Sequence, residues 1–120
     1  QESCVIVGKC ADYVLRSREN EVSIYIEAPR AFCRQRVIEH LGVTPEVADA
    51  TITQTDKYRA DYYAYYTHGN YWTNPVNYDM TLNSEKVGIR DCVKIIEQFL
   101  ILKGYITEDE IGKKVKNEKK

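Results

Sequence analysis

Gly8 and Lys9 follow directly on the apolar run "SCVIVG", so a cation stands where a short strand would end. An ammonium at a strand end suits an anionic group, since ligands of open parallel sheets gather at the carboxyl ends of the strands; a plain surface lysine would look the same. The pair is not a phosphate-cradling glycine loop. That motif needs a further glycine five residues earlier and a Ser or Thr after the lysine, and positions 3 and 10 are Ser3 and Cys10. Arg30, Arg34 and Arg36 fall together after Pro29. Guanidinium forks bind phosphoryl oxygens bidentately, although a solvated helix face carries such residues too. Asp56 and Arg59, three apart, share a helical face. Such a pair holds a sugar hydroxyl and a phosphate, or the two side chains simply neutralise each other.

The stretch "DKYRADYYAYYTHGNYW" from Asp56 to Trp72 holds six of the chain's 10 tyrosines. Tyr58, Tyr62 and Tyr65 form a helical stripe, with Tyr63 and Tyr66 round the side. Base stacking would need interleaved Lys and Arg for the nucleic-acid backbone, and the second half of the run has none. Packing is the expected role.

These residues need elements to position them. Ser3–Gly8 reads as a strand covered on both faces, followed by a short helix in "ADYVLRS". Glu21–Ala28 alternates and is β-branched, a second strand. Pro29 opens a helix over Arg30–Leu41, with Phe32, Val37 and Leu41 inward, and Gly42 ends it. Thr44, Pro45 and Glu46 supply a hydroxyl cap, a first-turn proline and an acid at the positive end. That helix runs from Pro45 to Tyr66. Tyr78–Asn83 is a third strand, Ile89–Leu102 an amphipathic helix, and a short helix follows near Glu108–Val115. Alternating strands and helices imply a parallel sheet. Three strands are few for one, and both edges would stay unpaired.

With 17 Lys and Arg against 18 Asp and Glu, the net charge is −1. A near-neutral chain lacks the basic face of a general nucleic-acid binder; "KKVKNEKK" at Lys113–Lys120 reads as a solvated tail. No apolar run is long enough to span a bilayer. Cys4, Cys10, Cys33 and Cys92 form no Cys-x-x-Cys pair, so spacing supports no metal site. Cys4 and Cys92 read as small buried hydrophobes. A reduced, cytoplasmic setting is expected. The chain opens on Gln1 and almost at once on a strand, which suggests an excerpt of something longer.

Taken in order, "CVIVGKCADYVL", "IYIEAPRAFCRQRV", "TDKYRADYYAYYTHGNYW" and "NYDMTLNSEKVGI" resemble the carboxyl-terminal part of a cytidylate-kinase-like protein of the nucleoside-monophosphate kinase group. The resemblance covers most of residues 3–103. It implies an α/β, partial three-layer P-loop-kinase-type fold with three mostly parallel strands and flanking helices, its amino-terminal strand and P-loop missing. Residues 1–106 would be the distal part of a nucleotide-kinase-like domain, with a lid-like helix at 45–66, and 107–120 an extension. Gly8, Lys9 and Asp12 would then face the acceptor monophosphate. Lys9 stands for the family's usual arginine, and Cys10 departs from the aspartate that follows it. Arg36 would approach the triphosphate, Cys33 replaces an expected arginine, and Arg34 stands beside it. Asp56 and Arg59 match a lid segment over the transferred phosphate, while Asn83 and Ser84 begin the loop bordering the adenine. The implied substrates are ATP with Mg²⁺ and a nucleoside monophosphate, without nucleic acid or membrane. Without the P-loop this chain is expected to be inactive and to associate with copies of itself. A kinase-like binding module without catalysis is the alternative.

Overall fold

Pro29 fixes an extended entry, and Arg30–Leu41 then coil into the helix the pattern predicts; Gly42, at φ 67°, ends it in the left-handed region that glycine adopts freely. The computed structural model describes residues 5–8 and 10–111. The expectations on Cys4, Lys9 and the basic tail lie outside the described residues.

The elements are α1 (Ala11–Val14), β1 (Ile24–Glu27), α2 (Arg30–Leu41), α3 (Pro45–Tyr66), a 3₁₀ turn (Pro75–Asn77), β2 (Met80–Asn83), α4 (Ser84–Val87) and α5 (Ile89–Leu102). The chain divides into two compact units, Gln1–Asn83 and Ser84–Lys120.

In the first unit β1 and β2 pair in parallel, Ile24 opposite Met80 and Glu27 opposite Asn83. Before the strands, the Asp79 amide donates to the Ser23 carbonyl at 2.8 Å, and the Ser23 amide donates to the Asp79 carboxylate at 2.8 Å. α2 and α3 form the crossover between the strands and pack on each other. The start of α3 follows its sequence signal: the Val47 amide donates to the Thr44 hydroxyl at 3.2 Å, with Pro45 first in the helix and Glu46 in its first turn. Its end turns sharply. Thr67 closes the last turn, His68 and Gly69 take φ 59° and 96°, and the Gly69 amide donates to the Ala64 carbonyl at 2.8 Å. This 6→1 closure sends the chain back along the helix.

Three expectations need correction. The sheet has two strands among the described residues, not three. Val5–Gly8 are not in a strand, and Val5 and Val7 are 92% and 87% exposed; an apolar run forms a covered strand only where something pairs with and covers it. Leu41, expected to face inward, is exposed at the last residue of α2. The buried apolar side chains of this unit are few: Cys10, Ala48, Tyr63 and Leu82.

In the second unit α4 packs on α5, and Cys92 is buried as expected. Thr107 opens a helical turn at 108–111, its amide and hydroxyl both donating to the Glu110 carboxylate, half of a capping box.

Candidate functional site

The three arginines of α2 separate by their helical angle. Arg30 donates to the Asp49 carboxylate at 3.3 Å, to the Asp49 carbonyl at 2.8 Å and to the Thr53 hydroxyl at 2.6 Å. Arg34, one turn on, lies 3.4 Å from the same carboxylate, too poorly aligned for its buried Nε to count as hydrogen-bonded. Both guanidinium groups are thereby committed to clasping α2 against α3. Arg36, two residues further round, is exposed and has no ion pair or hydrogen bond among the described residues.

α3 shows the same division. Lys57 pairs with Asp61 at 2.8 Å, the ordinary i,i+4 surface arrangement. Asp56 and Arg59 do not pair with each other, and no other side chain neutralises either among the described residues. Both act on the phenol of Tyr25 in β1. Burial above all, then the charges of Glu27 and Asp56, push the Tyr25 hydroxyl above its ordinary value, and Arg59 opposes them.

The guanidinium carbon of Arg59 lies over the Trp72 ring, 5.9 Å from its centroid, near the outer limit of a cation–π contact. Trp72 belongs to an aromatic block. Tyr25 meets its ring edge-on at 5.5 Å and stacks on Tyr78 at 5.1 Å, and the Tyr78 hydroxyl donates to the Trp72 carbonyl at 2.6 Å. Tyr25 of β1 and Tyr78, two residues before β2, thus fix the loop that follows α3.

On the amino-terminal side Gly8 takes φ 70°, and buried Cys10 takes φ 57° at the start of α1. Burial first, then the charge of Asp12, raises the Cys10 thiol. Asp12 accepts a 2.6 Å hydrogen bond from Tyr63, which is only 3% exposed. Burial and this bond raise the Tyr63 phenol well above its ordinary value; burial and the charge of Asp12 do the same to Tyr78. Asp12 therefore ties α1 to α3. Cys33 contacts the Ala28 carbonyl at 3.6 Å through its sulfur. Asn83 closes β2 opposite Glu27 at the carboxyl end of the sheet, and Ser84 opens α4.

The tyrosine run corrects the packing expectation. Tyr63 alone is buried. Tyr58, Tyr65 and Tyr66 are exposed, and the rings touch one another in a ladder: Tyr58 to Tyr62 at 6.0 Å, Tyr62 to Tyr66 at 4.7 Å, Tyr65 to Tyr66 at 4.9 Å. A hollow of about 210 Å³ between Arg16, Ser23, Val76 and Asp79 lies at the amino ends of the strands. Ligands of open parallel sheets gather at the opposite end.

The sequence reading missed Asp49 and the Tyr25–Tyr78 support of Trp72. Asp49 had a usable signal, an acid on the second turn of a helix antiparallel to one bearing arginines. The aromatic block had none, because its members lie far apart in the chain.

Among the described residues no group of three or more His, Cys, Asp or Glu gathers where a metal ion could sit, and no helix is long and apolar enough to cross a membrane. Of the arginines on α2 and α3, Arg36 and Arg59 are left without an acidic partner among the described residues, a state that fits an anion.

The family model described as cytidylate kinase-like matches residues 1–86. No curated protein matches the chain. Among solved structures, the crystal structure of an uncharacterized protein from Eubacterium ventriosum is similar, with a TM-score of 0.69 and 27% identity over 81% of this chain. The chain spans 56% of the length of that structure.

Proposed function

The chain belongs to the cytidylate kinase-like family, and on that premise we propose that it is the distal part of an ATP-dependent nucleotide kinase acting on a nucleoside monophosphate. The observation that carries the reading is the unpaired state of Asp56 and Arg59, on a surface where Arg30, Arg34 and Lys57 all have acidic partners. An exposed guanidinium without a carboxylate is ready for an anionic substrate.

Phosphoryl transfer is chiefly positioning and charge stabilisation. The acceptor phosphate oxygen attacks the γ-phosphorus of ATP in line, and the bond to the β-phosphate oxygen breaks to leave ADP. Arg59 on α3, the lid-like helix, and Arg36 on α2 balance the charge developing on the transferred group. Asp56, which does not pair with Arg59, is left to orient a sugar hydroxyl. Lys9, beside Gly8, holds the acceptor, and Asp12 fixes the following turn through Tyr63. Asn83 and Ser84 border the adenine. Arg34 reaches a triphosphate only by leaving Asp49. Mg²⁺, which takes one or two carboxylates together with phosphates and water, supplies charge neutralisation and arrives with ATP. No P-loop is found in these 120 residues, so this chain alone is expected not to turn over, whereas the intact protein would.

The test uses the intact protein with Mg-ATP and a panel of nucleoside monophosphates, following ADP release. Arg59→Ala is expected to lower the rate on the order of 10³-fold with an unchanged melting temperature. An equal loss of folding would make Arg59 structural. Absence of turnover with every acceptor, together with no ATP-dependent thermal shift, would refute the kinase reading.

One observation favours a second reading, a nucleotide- or protein-binding module without catalysis. Cys10 and Cys33, at positions where the family resemblance implies charged residues, are buried or half-buried and engaged in packing. Tight ATP binding without product would select it.

A further inference from the structure

Arg59 is free of carboxylates, yet it is not without a support. Its guanidinium carbon lies over the indole of Trp72 at 5.9 Å. The indole is itself held: Tyr25 of β1 sits edge-on to it, Tyr78 stacks on Tyr25, and the Tyr78 hydroxyl binds the Trp72 carbonyl. The turn through His68 and Gly69 returns the chain beside α3, which is how a residue 13 positions later meets Arg59.

A carboxylate in the place of Trp72 would engage the N–H donors of Arg59 and compete with a substrate phosphate. An indole offers the cation an attractive π face but no acceptor oxygen. It restricts the long side chain while leaving its N–H fork open to phosphoryl oxygens.

We propose that Trp72 is a positioning residue for Arg59, its indole forming a seat that holds the guanidinium beside Asp56 with its hydrogen-bond donors free for the phosphoryl group. The role rests on the kinase reading above, but the seat itself does not. Trp72 is the chain's only tryptophan, so its emission reports directly on what covers it.

Two measurements test the seat. In this chain, R59A changes the tryptophan emission maximum or yield; K57A, two positions from Arg59 and with its lysine paired to Asp61, does not. In the intact protein, W72L keeps bulk without a π face and lowers kcat/KM about two- to fivefold, the weight of an exposed cation–π contact. W72F restores most of the loss, and in the R59A background W72L has no further effect. The proposal is overturned if R59A leaves the emission unchanged, or if W72L costs as much with Arg59 absent as with it present. Should the intact protein transfer no phosphoryl group, the kinase reading fails, and the emission comparison alone decides whether the seat exists. A W72L protein that does not fold leaves the decision with the same comparison.

Discussion

Tyr63 shows how one side chain of a repetitive run differs from its neighbours. Its phenol is buried and donates to Asp12, so its proton is held well above the ordinary tyrosine value. Between about pH 10, where an unfolded tyrosine titrates, and the higher folded value, the unfolded chain releases a proton that the folded chain keeps. Stability is therefore fully present below about pH 10 and falls as pH rises beyond it, with a limiting slope of about 1.4 kcal/mol per pH unit for this group. Urea midpoints measured from pH 8 to 11 are expected to show this decline. Tyr63→Phe is expected to cost about 1–3 kcal/mol at pH 7, a hydrogen bond to a charged acceptor, and to flatten the alkaline decline. An unchanged pH profile in Tyr63→Phe would assign the decline to Tyr78 and Tyr25, whose phenols burial also raises.

At the scale of elements, the helices follow local chemistry closely. α3 begins where Thr44 supplies its hydroxyl to the Val47 amide, and Thr44→Ala is expected to cost about 1 kcal/mol, with faster exchange of the Val47 amide in hydrogen-exchange measurements. Thr44→Ser should behave as wild type. α2, α3 and α5 were legible in the sequence to the residue, because Pro29, Gly42 and Thr44 act on their immediate neighbours and a periodic face sets the rest. The strands were less so. The last two were placed but drawn too long, and Val5–Val7 read as a covered strand because an apolar run says nothing about whether a partner is there. Asp56 and Arg59 were singled out by type and spacing, but whether they would pair could not be read from them. The clasp of Arg30 and Arg34 on Asp49 and the seat under Arg59 are contacts between distant segments, and composition carries no record of those. The tyrosine stripe misled for a related reason: helical spacing places rings on one face without saying whether that face meets protein or water.

Considered whole, the described chain has more apolar surface than partners for it. β1 and β2 pair only with each other among the described residues, and Val5, Ile6 and Val7 are exposed beside a small buried set. Open strand edges and exposed apolar runs invite association. Sedimentation velocity on this chain over a wide concentration range is expected to show self-association, and a monomer at all concentrations would contradict that expectation. The same incompleteness bears on activity, since cations that balance transferred charge act only on a phosphate held in line by a cradle. The most direct test is phosphoryl transfer from Mg-ATP to nucleoside monophosphates, assayed in parallel for the intact protein and for this chain. Turnover by the intact protein, with none by the chain, is the expected result. No transfer by the intact protein to any acceptor would contradict the central claim.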